Sequence, residues 1–278
     1  MYFSSPQLDT RPYFATLHDN LIRLLEDLAG DEWQTPTVAS KWRVKDVVAH
    51  LLDGDIRTLS VQRDLHFGEK PPESNDFGTV VQWLNELNAS WVHAAKRMSP
   101  EVLIMLHKTT GPVVTEYYES LDPMAEAIFS VQWAGEEKSL NWMHLSREYS
   151  EKWHHQQQIA DATGRRGVLT PELYRPLIMT FMLGIPHTLR DTSLKSGDTI
   201  ILQTTGAVEE AWILQYQDSS WQFSSTAGRI RTEVRLPSNA AWKLFSKSLR
   251  PAHLNDNLVI TGEKNIGEKI INMISVMA

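Results

Sequence analysis

The sequence predicts an α+β protein, with an N-terminal four-helix bundle followed by a smaller C-terminal α/β domain. Three observations predict it. Apolar residues recur at three- and four-residue spacings through most of the first two thirds of the chain, and the period shortens towards two after Lys195. A hydrophobic fraction of 42% over 278 residues is enough to fill real cores.

The first helix is predicted from Pro12 to about Ala29, with Phe14, Leu17, Leu21, Leu24, Leu25 and Leu28 on one face and Gly30 as its stop. Trp33 to Trp42 reads as a connection folded back against the core, because Pro36 breaks regular structure and both tryptophans seek burial. The second helix runs from about Val44 to Leu65 on the stripe Val47, Val48, Leu51, Leu52, Ile56 and Leu59. A polar, Pro-containing loop from Gly68 to Gly78 leads to a third helix, about Val80 to Lys96, carried by Val81, Leu84, Leu87, Trp91 and Ala95. Two short helices are expected near Pro100 to Lys108 and Thr115 to Glu119, and Phe129 to Trp133 reads as a loop or strand-like insertion before Gly135. A long helix follows from Leu140 to Ala162, ended by Gly164 and the turn at Arg165, Arg166 and Gly167. The next begins near Pro171 and reaches about Leu189, with a kink at Pro186. These long helices predict a bundle, and the long inserts between them argue against a simple up-and-down design.

Beyond Lys195, strands are predicted at Thr199 to Thr205, Ala211 to Gln217 and Ile230 to Leu236, with a turn at Asp218, Ser219 and Ser220. Pro237 permits a helix start with Ala240, Leu244 and Phe245 inward; Leu258 to Ile260 forms a short strand before Gly262, and Asn265 to Met277 a terminal helix. The predicted division is residues 1–190 for the bundle and 193–278 for the α/β domain.

Charge and composition narrow the function. Asp and Glu total 34 against 27 Lys and Arg, a formal charge of -7 with no concentrated basic tract, so no nucleic-acid partner is expected. Cysteine is absent, which removes disulfides, thiolate metal ligands and a cysteine nucleophile together; any thiol chemistry must use a thiol from outside. The first residues, Met1 to Asp9, lack the basic start and apolar run of a signal peptide, and the most apolar stretch, Leu177 to Ile185, is about half the length needed to cross a bilayer. No membrane partner and a cytoplasmic location are therefore expected.

The candidate site is a metal centre. Glu151 and His155 stand one helical turn apart and share a face, while His154 should point well away from His155. His50, on the second helix, can complete a two-imidazole, one-carboxylate set if the two helices pack side by side. Zinc accepts such ligands, as do other divalent ions. The competing reading makes His50 part of an internal hydrogen-bond network and Glu151–His155 an ordinary polar pair. His144 shares the face and is a rival ligand, but lies about 16 Å from His155 along an ideal helix, too far for both to hold one ion. Trp142 and Trp153 could wall the cluster, and Asp46 or Asp53 could accept from His50 or serve only as a cap or surface charge. Arg57, Arg229, Arg231 and Arg250 are candidate substrate cations that could equally be surface charges; Arg165 and Arg166 suit capping of the long helix.

The segments Trp42-Arg-Val-Lys-Asp-Val-Val-Ala-His50-Leu-Leu and Glu151-Lys-Trp153-His-His155-Gln-Gln-Gln158-Ile resemble the DinB-like metalloprotein superfamily, in its mycothiol-dependent maleylpyruvate isomerase-like branch. Ala241-Trp242-Lys-Leu-Phe-Ser-Lys and Val259-Ile-Thr-Gly262-Glu extend the resemblance into the second domain. It implies a DinB-like bundle and a metal triad of His50, Glu151 and His155, holding a divalent ion, zinc first. The family's aspartate three residues after the last histidine is here Gln158, which departs from its outer-shell chemistry. The implied activity uses mycothiol, bacillithiol or another low-molecular-weight thiol. The thiolate adds to an activated double bond of a small electrophile, allows rotation and leaves again, or stays on as a transferred group. A metal-dependent hydrolase and a nonenzymatic metal-stabilised binding or stress-response protein are the alternative readings. The sequence sets no oligomeric state.

Overall fold

The computed structural model describes residues 8–73, 76–254 and 257–276. Its helical part contains α1 (Phe14–Glu26), α2 (Val44–Arg57), α3 (Phe77–Ala95), α4 (Pro100–Ser120), α5 (Asn141–Ala162), α6 (Pro171–Met182) and the short α7 (Ile185–Thr188). The helices that pack on one another as the bundle are α1, α2, α4 and α5, with α3 against α2 and α6 against α5. Among the described residues, no helix is long and apolar enough to cross a membrane.

The largest departure from expectation is α4. Two short helices were expected, near Pro100 to Lys108 and Thr115 to Glu119; the chain instead forms one helix of 21 residues that runs through Gly111 and Pro112. Gly111 is there for close approach: a Cβ at that position would lie 2.1 Å from the His18 ring, so α1 and α4 meet where a side chain is missing. Packing of Leu103, His107, Val114 and Tyr118, all buried, outweighs the backbone bond lost at Pro112.

Helix α2 also differs. Its regular part ends at Arg57, and Thr58–Arg63 continues as wider π-type turns, which carry Thr58 and Gln62 towards the interior. The helix expected from Pro171 to Leu189 is broken rather than kinked. Pro186 has no N–H to give and its ring would strike the carbonyl of Met182, so α6 ends at that methionine and Pro186 opens α7.

The sheet has five strands: β1 (Asp198–Thr205), β2 (Glu210–Gln217), β3 (Ser220–Ser224), β4 (Arg229–Pro237) and β5 (Val259–Gly262), in the order β3-β2-β1-β4-β5. Neighbours are antiparallel except β1 and β4, which run parallel. Strand β3 was not expected. Asp218 and Ser219 take positive φ and fold a tight hairpin, and Trp221 and Phe223 then alternate inward from the edge. Helix α8 (Ser238–Phe245) buries Ala241, Trp242, Leu244 and Phe245, so Ala241 rather than Ala240 is the inward alanine. The last helix, α9 (Lys264–Ile271), is shorter than expected, and Met277, its expected end, lies outside the described residues.

One hydrophobic cluster joins helices and sheet, running from Phe14, Tyr118, Tyr149 and Trp153 through Tyr174 and Phe181 to Leu202, Leu214, Leu236, Trp242 and Phe245. Trp153 packs edge-on against both Tyr174 and Trp242, with ring centroids 5.8 Å apart in each case. That contact fixes the rotation of α5: with Trp153 turned towards α6 and α8, the polar side chains beside it in sequence turn towards α2.

Candidate metal centre

Helices α2 and α5 run antiparallel along a polar seam. His50 lies beside His155, Asp55 meets Lys152, Thr58 and Glu148 share the Tyr118 hydroxyl, and Gln62 bonds His144. At the top of this seam His50, Glu151 and His155 converge, each offering a ligand atom within 4.8 Å of the others. The His50 and His155 rings are 4.7 Å apart, edge to face at 73°.

The separation of His155 Nε2 from Glu151 Oε2 is 3.5 Å. This is long for a hydrogen bond. It matches the edge of a tetrahedron of ligands around zinc, roughly 3.3 Å when each bond is about 2.0–2.1 Å. His155 donates from Nδ1 to Gln158 Oε1 at 2.8 Å, so the lone pair on Nε2 faces the carboxylate. Gln158 in turn donates to Ser248 Oγ at 3.0 Å, which lies 3.0 Å from Ser246 Oγ in the segment after α8. His50 Nδ1 is buried and, among the described residues, has no hydrogen-bond partner. A buried nitrogen left in this way is costly in an apolar setting, and a Lewis acid within the cluster answers the opposed 3.5 Å pair.

Charge states agree with that use. Burial, reinforced by the neighbouring His155, takes His50 well below the usual histidine range, so its imidazole is neutral. Burial alone would raise the pKa of Glu151, but the neighbouring histidines, once protonated in acid, outweigh it and bring the carboxyl to about 2, so it is ionised at neutral pH. Neutral imidazole and ionised carboxylate are the forms that ligate. The donor set therefore fits a divalent ion.

Other expectations resolve differently. His154 does not diverge from its neighbour: the two rings are 4.0 Å apart, because His154 Nδ1 bonds the Ser150 carbonyl at 2.7 Å and folds the ring back along α5. Its Nε2 stands 4.0 Å from Glu151, and burial lowers its pKa to about 4. Trp42, not Trp142, walls the cluster, with its ring 4.7 Å from His50 and 6.0 Å from His155. The Pro36–Arg43 bridge folds the preceding loop and sets that tryptophan, whereas Trp142 packs with Val131, Trp133 and Met143. Asp46 accepts from the Arg43 backbone as a helix cap, and Asp53 pairs with Arg57 at 3.0 Å. Neither reaches His50.

Among the arginines, Arg57 lies near His50 and is held by Asp53 and Asn88. Arg229 and Arg231 pair with Asp198, Arg231 also with Glu263, and Arg165 ties the end of α5 to Asp27 and Glu32. Arg250 is exposed and lies near Lys247, beside the segment that carries Ser248. His144 is closed to metal: Arg147 donates to its Nδ1 at 2.9 Å and its Nε2 donates to Gln62 at 2.7 Å. Sequence reasoning missed Trp42, His154 and Ser248 as parts of this site. The signal for Trp42 was its place two residues before α2, eight residues ahead of His50.

A helical bundle with a two-histidine, one-carboxylate cluster between two antiparallel helices defines a class of candidate metal-centred proteins. Within it, the chain belongs to the family described as the mycothiol maleylpyruvate isomerase N-terminal domain, whose model matches residues 14–160. The fold is similar to a crystal structure of the mycothiol-dependent maleylpyruvate isomerase, with TM-score 0.55 and 13% identity over 94% of this chain and 95% of that one. A structure of a histidine-to-alanine mutant of the same enzyme gives TM-score 0.55 and 12% identity with the same coverage. No curated protein sequence matches the chain.

Proposed function

We propose that this protein is a metal-dependent enzyme that uses an external low-molecular-weight thiol to isomerise a small electrophile or to transfer the thiol to it. The observation that carries the proposal is the convergence of His50, Glu151 and His155 from two helices. Family membership and the total absence of cysteine support an external thiol, mycothiol being the one named for the related enzyme. A divalent ion held by the triad supplies Lewis acidity, which keeps a thiol ionised near neutral pH.

The chain's own residues set the conditions for that chemistry. Gln158 holds the His155 ring with Nε2 inward, and Ser248 holds Gln158. Trp42 covers one flank and limits access of bulk water. The helical part carries the ligands in this reading, and the segment after α8 borders the site through Ser248. The reading places the protein in the cytoplasm, where such thiols stay reduced.

The test is turnover of maleylpyruvate by zinc-loaded protein with mycothiol, bacillithiol or glutathione, and without thiol. Isomerisation or adduct formation that requires a thiol is the expected result. Equal turnover without thiol would point to hydrolysis, and no turnover at full zinc occupancy would point to a binding protein; either outcome overturns the proposal.

A further inference from the structure

Five residues below His50 on α2, about 7.5 Å along the axis, Asp55 is 2% exposed and carries a charge into the bundle. Its Oδ1 meets Lys152 Nζ, and Lys152 sits next to Glu151 and three residues, about 4.5 Å, before His155. Helix α4 closes the contact: Thr110 Oγ1 donates to Asp55 Oδ2 at 3.2 Å, and His107 Nδ1 is 3.6 Å from the same oxygen. His107 is anchored in turn through Nε2 to the Val48 carbonyl at 3.0 Å, back on α2.

We propose that the Asp55–Lys152 pair, buried at its carboxylate and one-fifth exposed at its lysine, positions the metal centre, fixing the axial register of α2 against α5 and hence the reach of His50 to Glu151 and His155. This rests on the metal reading above. Metal bonds tolerate deviations of about 0.2 Å. Apolar contacts such as those of Val48, Leu51 and Leu52 are non-directional and permit sliding on that scale. A pair whose carboxylate is buried and also bonded from a third helix is directional and resists stretching. Register setting is the best-attested use of a buried pair, since replacing both charges by apolar groups often leaves stability intact.

That last property separates positioning from plain stabilisation. Zinc affinity by chelator competition and Tm are measured on the full chain for wild type, Lys152→Met, the double variant Asp55→Leu with Lys152→Met, and Leu202→Ala in the sheet as a stability control. Wild type should bind one zinc and His50→Ala none; failure there sinks the metal reading itself. Given that binding, Lys152→Met should lower zinc affinity about 10–100-fold, the scale of lost supporting contacts around ligands. The double variant should regain Tm while its zinc affinity stays low, and Leu202→Ala should lose Tm while keeping its affinity. Wild-type affinity in either charge variant, recovery of affinity together with Tm, or an equal loss in Leu202→Ala would overturn the positioning role while leaving the triad standing. Should Lys152→Met not fold, the double variant carries the comparison, and should that variant stay destabilised, its affinity against Leu202→Ala at matched Tm decides between the same two outcomes.

Discussion

His144 and His155 ride the same helix eleven residues apart, both buried and both facing the α2 side of the seam. They differ in what their nitrogens have left to do. At His144 both are spent, one accepting from Arg147 and the other donating to Gln62. At His155 one is spent on Gln158 and the other stands 3.5 Å from an ionised carboxylate, beside a second histidine with a nitrogen that has no hydrogen-bond partner among the described residues. Burial therefore does not distinguish a ligand from a structural histidine. What sets the two apart is convergence: His155 meets a second histidine and a carboxylate within 4.8 Å, whereas both nitrogens of His144 are taken up by Arg147 and Gln62.

The strongest way to break this contrast is to remove the open cluster. His50→Ala, Glu151→Ala and His155→Ala should each abolish stoichiometric zinc and lower thiol-dependent turnover by more than about a hundredfold, beyond the range of supporting contacts. Elemental analysis of purified protein checks the first and a thiol-dependent assay the second; full zinc in all three variants would erase the distinction between the two histidines.

A smaller effect is expected one contact away. Gln158→Ala frees the His155 ring and should weaken zinc binding about 10–100-fold, read by chelator competition. Unchanged affinity would mean that the ring is held by packing with Trp42 and His154 instead.

The closed cluster makes its own prediction through pH. Burial lowers the pKa of His144 to about 4 from an ordinary 6.5, with Arg147 adding to the shift. The unfolded chain takes up this proton below about 6.5 while the folded chain refuses it until about 4. Stability from this group is therefore full above pH 6.5 and is lost as pH falls towards 4. His144→Gln should flatten that dependence by up to about 1.4 kcal/mol per pH unit in urea titrations and should keep its zinc. An unaltered slope would show that His144 is charged in the folded protein.

The smallest effect belongs to Tyr118→Phe. The hydroxyl donates to Glu148 Oε2 at 3.0 Å and bonds Thr58 at the same distance, so its loss should cost about 1–2 kcal/mol in chemical denaturation. Zinc content should not move. If it falls, the lower network and the upper cluster act as one unit.

Much of this was legible in the sequence because periodicity is local. The stripe from Val47 to Leu52 and the Glu151–His155 spacing follow from 3.6 residues per turn, and both survive packing intact. What escaped depended on contacts between distant segments. Gly111 and Pro112 look like a helix break until His18 fills the space that glycine leaves. Ser220–Ser224 looks like the end of a turn until β2 pairs with it. Within the site, the ligands could be read from type and spacing, but the wall and the outer shell could not. Trp42 is placed by a bridge between two loop residues, and Ser248 reaches Gln158 from 90 residues away. His154 was misjudged because a regular wheel angle ignores the rotamer, which its bond to Ser150 selects.

The central claim is that α2 and α5 together hold one divalent ion. A crystal structure of the zinc-loaded protein, with anomalous differences recorded on both sides of the zinc absorption edge, tests it most directly. The predicted result is a single peak about 2.0–2.2 Å from one nitrogen each of His50 and His155 and one oxygen of Glu151, with a coordination position left to solvent or thiol. A zinc peak elsewhere in the chain, or these three side chains without a peak in protein that carries stoichiometric zinc, would contradict it.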